Sequence, residues 1–466
     1  VIRKIKLLKD EYENVNPGGE NPNLPSLNGI AWYPRLIRYY PEGKLAGNVL
    51  GIYTYANVGG ETGAFGVEGY YNNLLAGRPE QMVLPFDPYE MQTLPQIPPG
   101  ADLILTIDRE MQAAVETILD RSMEKNGSRS GTIIVYQPET GEILAMASSP
   151  RLDPNKYNTT DWTELFPEKV LFNNAVSFPY EPGSVFKVLT MAAAIDAGVV
   201  TPDTTFVDTG SYNVGKYTIY NWNLGAWGEQ TMTGCMQHSL NVCLSWLAVE
   251  KLGKGKFYEY MEAFGIGHRT NVDLAMEGEY PFITPVVSQE WPTVKLATHS
   301  FGQGVSVTPI QMVQSIGAVA NDGKMMWPHV VKGYVKDGQQ YNIDPLVVGT
   351  PISAETARTV TEMLTVTLEE ESFSNASVPG YSVAGKTGTA QIAEDGQYLE
   401  NTTNTSFVGW GPSEDPKFLV YIWFERPKSD TWGSTIAAPV FPPVFKELVR
   451  IGNIPPDDIR LQLTGK

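Results

Sequence analysis

The alternation of apolar and polar positions divides the chain into an irregular lead and a patterned remainder. Over Thr106–Arg121, Ile107, Met111, Val115 and Ile118 recur at the 3.6-residue spacing of one helix face. Gly131-Thr-Ile-Ile-Val-Tyr136 and Glu142-Ile-Leu-Ala-Met-Ala147 flank a Pro138-Glu-Thr-Gly141 turn, which predicts an antiparallel hairpin. A run of small and apolar residues from Ser184 to about Gly198 predicts a helix, followed by a Tyr- and Trp-rich loop over about 205–230. Helices are expected at Thr231–Leu252, at Pro309–Ala320 with proline in the first turn, and at Ala354–Leu368. The closing third reads as strands over Ser382–Ile392, Ser406–Trp410 and Lys417–Phe424, then a helix over Val444–Ile451. A hairpin first, helices in the middle and strands last give an α+β fold. The terminal strands join the hairpin in one antiparallel sheet with helices on its faces.

The lead is different. Residues 1–100 are rich in Gly, Pro, Asn and Tyr, with short strand-like runs at Ile30–Tyr33 and Val49–Tyr55 and a short helix over Phe65–Gly77. Leu94-Pro-Gln-Ile-Pro-Pro-Gly100 makes a stiff boundary. Nothing in this lead places an acid, a base and a nucleophile together. It reads as an elongated, non-catalytic N-terminal domain (1–100) ahead of a catalytic domain (101–466).

Composition narrows the function. At 466 residues and 42% hydrophobic, the chain has material for more than one core. The net charge of −18 argues against nucleic acid as a partner, because a phosphate backbone demands a basic face. Cys235 and Cys243 exclude a disulfide framework and a four-cysteine zinc site. On a continuous helix they stand ~12 Å apart, beyond disulfide reach, so both are expected to be core residues. The four histidines show no metal-binding spacing, and no metal or cofactor is expected. No stretch of 18 or more apolar residues occurs. The chain opens on Val-Ile-Arg-Lys without Met, so a missing N-terminal anchor is expected.

The candidate chemistry is a serine with a lysine one helical turn on. Glu181-Pro-Gly-Ser184-Val-Phe-Lys187 places an amine beside a hydroxyl, as a nucleophilic serine without histidine requires. Ser122-Met-Glu-Lys125 has the same spacing but sits among Asp120, Arg121 and Glu124 on a solvated helix end. For Lys187 to act as a base near neutrality its pKa must fall from ~10.4 to about 7, a change worth roughly 4 kcal/mol. Desolvation and a second cation would do this. Lys386, in the one Lys-Thr-Gly of the chain, is the candidate cation; it can stay charged and attract a carboxylate. Gly388 permits close backbone approach, and the backbone N–H groups of Ser184 and Thr389 form a candidate oxyanion hole. Ser239-Leu-Asn241 is the candidate proton relay. Ser26-Leu-Asn28 and Ser211-Tyr-Asn213 match it equally, and such residues commonly only cap helices or form turns.

Taken in order, Ser184-x-x-Lys187, Ser239-x-Asn241 and Lys386-Thr-Gly388 form the motif set of penicillin-binding proteins. The chain resembles the class B, monofunctional transpeptidases of that family, over most of its length beyond about residue 35. Arg38-Tyr-Tyr-Pro-Glu-Gly43, Gly66–Gly77, Gly141–Ala147, Pro154-Asn-Lys-Tyr157, Tyr180–Lys187, Phe301-Gly-Gln-Gly304 and Ala437-Ala-Pro-Val-Phe441 carry the likeness, which settles Ser239 over its two decoys. The resemblance implies a five-stranded antiparallel sheet flanked by helices. It implies that Ser184 attacks the penultimate D-Ala carbonyl of a peptidoglycan stem peptide ending in D-Ala-D-Ala. Terminal D-Ala is released, and an amine of a neighbouring stem peptide takes the acyl group. β-Lactam antibiotics would acylate Ser184. Lys386 with the Thr387 and Thr389 hydroxyls would face the terminal carboxylate. The resemblance also implies a membrane-anchored enzyme on the extracytoplasmic face, working with a membrane glycan polymerase. The closing Pro-rich stretch and Phe407-Val-Gly-Trp-Gly-Pro412 resemble division-type more than elongation-type members. The family's membrane helix and its Arg-Gly-x-Ile-x-Asp-Arg stretch have no counterpart here. No convincing deacylating acid lies between Ser239 and Lys386, Glu279 and Glu290 included, which favours transfer over hydrolysis. The rivals are a β-lactamase or D,D-carboxypeptidase, and a β-lactam sensor that is acylated without turnover.

Overall fold

A computed structural model describes residues 2–17, 20–21, 23, 37–56, 60–77, 99–167, 170–282, 292–369, 375–394 and 397–464. Its centre is one antiparallel sheet of five strands. In spatial order these are Ala384–Glu394, Gln397–Gly411, Phe418–Glu425, Ser130–Tyr136 and Ile143–Ser149. The expected joining of the closing strands to the first hairpin is borne out: Tyr421 lies opposite both Ile134 and Val408.

The side-chain period of two decides what each face carries. Leu419, Tyr421 and Trp423 point into the larger core, against the helix Lys187–Asp196 and the helix Pro309–Val319. Val420, Ile422 and Phe424 point the other way, onto Arg109–Asn126 and Phe441–Ile451. Both faces are covered, so the strand 418–425 is apolar throughout rather than alternating. The helix expected from Thr106 starts at Arg109, because the Asp108 side chain accepts from Met111 N (2.8 Å) and caps it. The decoy Ser122 lies within that helix and donates back to Ile118 O (2.7 Å). The last predicted helix begins earlier, at Phe441, with both prolines in its first turn. One more helix, Asp457–Thr464, follows it.

The stretch 205–230 is not a loop but two small two-stranded ribbons, Thr205–Asp208 with Gly228–Thr231 and Ser211–Val214 with Tyr217–Tyr220. In the lead, Ile2–Val15 is a helix, and Ile52–Ala56 pairs with Gly60–Ala64. Val49, placed above in a strand, lies in a short helix, Gly47–Leu50, and packs with Val67 into the larger core. The predicted strand Ile30–Tyr33 and most of the Leu94–Gly100 boundary lie outside the described residues.

One expectation is overturned outright. Cys235 and Cys243 form a disulfide, with their Cα atoms 6.1 Å apart. The helix expected over 231–252 is broken: Met232–Gln237 stops, Ser239 takes a left-handed conformation (φ 52°), and Asn241–Trp246 starts again. The turn folds the two cysteines toward each other, where a continuous helix would hold them apart. Both are still core residues, with no exposed surface.

The two faces of the sheet predict separable effects. Leu448→Ala empties a fully buried site on the face away from Ser184. It is expected to lower the unfolding free energy by about 2–5 kcal/mol in a urea titration, with the chemistry at Ser184 unchanged at temperatures where the variant is folded.

Candidate active site

The nucleophile turn is built around Gly183. Its φ of +58° is left-handed, and a Cβ there would stand 2.5 Å from Thr389 O. Glycine is required on both counts. Its N–H donates to Gly302 O (3.0 Å), and the turn Gly183–Phe186 then runs into the helix Lys187–Asp196. Glu181, just before it, accepts from Gly304 N (3.0 Å) and from the Tyr398 hydroxyl (3.2 Å). One carboxylate thus ties the nucleophile turn to the 302–304 turn and to the strand Gln397–Gly411. Burial raises its pKa.

The structure brings together every site residue expected from the sequence. Lys187, one turn beyond Ser184, is wholly buried. Its Nζ donates to Ser239 O (2.6 Å), Asn241 Oδ1 (2.8 Å) and Ser239 Oγ (3.2 Å). Lys386 Nζ, from the edge strand, donates to the same Ser239 Oγ at 2.9 Å. Ser239 therefore bridges the two amines. Among the described residues Ser184 Oγ has no hydrogen-bond partner. Asn241 is held in turn by donation from its Nδ2 to Tyr220 O (3.2 Å). The decoy Ser211 lies in a ribbon strand, and Ser26 lies outside the described residues.

Burial in the core, and then the charge of Lys386, hold the Lys187 pKa well below that of an ordinary lysine. The direction is the one expected. Burial also pushes Lys386 down, to about 7, so near neutrality it stands close to its own midpoint. An anion arriving beside it would favour the protonated form.

Thr387, Gly388 and Thr389 lie on the edge strand, which is open on one side. Thr389 O faces Gly183. In an extended strand the N–H and C=O of one residue point the same way, so Thr389 N–H faces the nucleophile turn too. The Thr389 hydroxyl accepts from Gly433 N at 2.9 Å. Ser184, Ser239, Asn241, Thr387 and Thr389 open onto one cleft of about 790 Å³. Its described lining contains no Asp or Glu. Sequence reasoning missed the indoles on its walls. Trp222 and Trp432 meet edge to face at 5.4 Å, and Trp227 stacks on His238 at 4.0 Å. The aromatic density of 212–227 was a usable signal for two of them; Trp432 carried none. No group of His, Cys, Asp or Glu able to hold a metal occurs among the described residues.

Comparison with known proteins agrees with this geometry. Residues 131–446 match the family described as "Penicillin binding protein transpeptidase domain". The chain is 34% identical to stage V sporulation protein D of Bacillus subtilis, over 90% of this chain and 65% of that protein. It is 30% identical to the peptidoglycan D,D-transpeptidase FtsI of Escherichia coli, over 95% of this chain and 74% of that protein. Among solved structures, penicillin-binding protein 3 of Mycobacterium tuberculosis complexed with aztreonam superimposes with a TM-score of 0.78 at 30% identity. That match covers 90% of this chain and 91% of the other. The chain thus spans just under two thirds of the Bacillus relative.

The depressed Lys187 pKa predicts a pH dependence of stability. Between its folded value and ~10.4 the unfolded chain binds a proton at Lys187 that the folded chain does not. Stability therefore rises with pH across that window. Wild type should gain on Lys187→Met as the pH rises toward ~10.4, by up to about 1.4 kcal/mol per pH unit, in paired urea titrations. A difference that stays flat would mean that Lys187 is charged in the fold.

Proposed function

This chain belongs to the penicillin-binding protein transpeptidase family, and from that premise we propose that it is a serine D,D-transpeptidase that cross-links peptidoglycan stem peptides. One observation carries the reading: Lys187, one helical turn beyond Ser184, and Lys386 both donate to Ser239 Oγ.

The chemistry follows from the roles that these contacts support. Neutral Lys187 takes the Ser184 Oγ proton as the Oγ–C bond forms at the penultimate D-Ala carbonyl. The N–H groups of Ser184 and Thr389 hold the oxyanion. The proton passes from Lys187 through Ser239 Oγ to the departing nitrogen, the C–N bond breaks, and D-Ala leaves. An acceptor amine then attacks the acyl-enzyme, returning a proton by the same route. Asn241 orients Lys187. Lys386, recharged by the terminal carboxylate, anchors the donor together with Thr387 and Thr389, and Gly388 keeps the strand close to the nucleophile. A cleft lining free of described carboxylates suits an anionic donor.

β-Lactams would acylate Ser184; the structural relatives include complexes with aztreonam and ampicillin. We place the protein on the extracytoplasmic face of the membrane, held by a helix N-terminal to residue 1 and paired with a glycan polymerase. The Cys235–Cys243 disulfide supports an oxidising compartment. Among the described residues no helix is long and apolar enough to cross a membrane. Residues 1–100 would act as the non-catalytic domain. Relatives named FtsI support a division-type role.

Donor and acceptor stem peptides incubated with the protein should give cross-linked product in excess of hydrolysed donor; hydrolysis alone would favour the carboxypeptidase. Fluorescent penicillin should label wild type and not Ser184→Ala. Lys187→Arg should slow acylation by at least about 100-fold, because guanidinium does not give up its proton and a general base is worth about 10²–10⁴. Retained labelling in that variant would remove Lys187 as the base.

A further inference from the structure

The disulfide closes a ring whose midpoint is Ser239. Cys235 lies four residues before it and Cys243 four residues after, and the ring also contains Asn241. Lys187 Nζ donates to both of these ring residues, and Lys386 Nζ reaches Ser239 as well. The bond therefore spans a backbone segment that both amines contact.

That segment is in an unfavourable conformation. Ser239 has φ 52°, a left-handed value that side chains other than glycine rarely adopt. The residues around it favour a different state. The apolar pattern of 231–252 reads as one continuous helix, and Gln237 and Asn241 stand at the two helix ends that Ser239 separates. In a continuous helix Cys235 and Cys243 would be ~12 Å apart, and Ser239 would be helical rather than turned. The disulfide, with its Cα atoms 6.1 Å apart, is incompatible with that alternative. Other ties on the segment come from the 220–227 region: Trp222 Nε1 donates to His238 O (3.1 Å), Asn241 Nδ2 to Tyr220 O (3.2 Å), Val242 N to Asn221 Oδ1 (3.2 Å), and Trp227 stacks on His238.

We infer that Cys235 and Cys243 are positioning residues of the candidate active site: their disulfide holds the broken helix that presents Ser239 and Asn241 to the two buried lysines. The inference rests on the transpeptidase reading above. It makes the acylation rate, and not merely the stability, depend on the oxidised pair.

The test uses the full chain and a fluorescent penicillin. Dithiothreitol converts the disulfide to two thiols and is itself oxidised to its cyclic disulfide. Since both sulfurs are buried, Cys235→Ala/Cys243→Ala provides the same state without access of reductant. Each protein is assayed well below its own melting temperature, with circular dichroism showing it folded. The first-order acylation rate at saturating penicillin should fall at least fivefold in the reduced protein and in the double variant. Reoxidation should restore the first and leave the second unchanged. A purely structural bond would lower the melting temperature and leave this rate intact. A fall smaller than fivefold in the folded proteins, or a rise, overturns the inference. If the oxidised wild type itself fails to label at Ser184, the transpeptidase reading falls instead, and that outcome is separate from the redox comparison.

Discussion

Two buried amines sharing one hydroxyl are the constraint on which the rest of this structure depends. Lys187 and Lys386 are both removed from water, and Ser239 Oγ lies within hydrogen-bond distance of each. Two full positive charges side by side in a core would be costly. The fold answers by lowering both pKa values. A neutral amine beside a serine is a base. A second amine near its own midpoint is a group that an incoming anion can charge.

The three residues come from segments far apart in sequence, and the sheet makes their meeting possible. Lys386 sits on an edge strand, where one side of the backbone is unpaired and can face the nucleophile turn. Gly183 lets that turn approach within contact of Thr389. Behind them Tyr180 and Tyr421 hydrogen-bond through their hydroxyls, and Trp423 packs against Tyr180, so the wall beneath the site is aromatic and close-packed. A rigid floor matters here, because small shifts of a base relative to its nucleophile cost rate steeply.

Much of this was legible in the sequence. Continuous apolar strands, the first hairpin and the proline-initiated helices were read correctly, because local pattern and tertiary burial agree in them. The three motifs were found, and the structure assembles them. What failed did so for a physical reason. The stretch 231–252 has helical periodicity throughout, yet tertiary contacts and a disulfide impose a left-handed serine in its middle; local pattern carries no record of that competition. The ribbons of 205–231 are short and mostly exposed, so they lack the buried face that makes a strand readable. The lowered pKa of Lys386 depends on burial that only the folded sheet supplies.

The net charge of −18 raises an apparent difficulty for a site that would hold an anion. Distance and dielectric resolve it. At physiological ionic strength the Debye length is about 8 Å, so exposed carboxylates on distant faces are screened at the cleft. The lysine pair is buried and is screened much less. The described lining adds no carboxylate to oppose it. The local field at the cleft is therefore set by Lys386 and by oriented backbone N–H groups, whatever the sign of the whole. Global charge then acts on approach and solubility, whereas any selection of a ligand at the cleft depends on the groups around Ser239. For this reason composition carries no information about what the cleft takes.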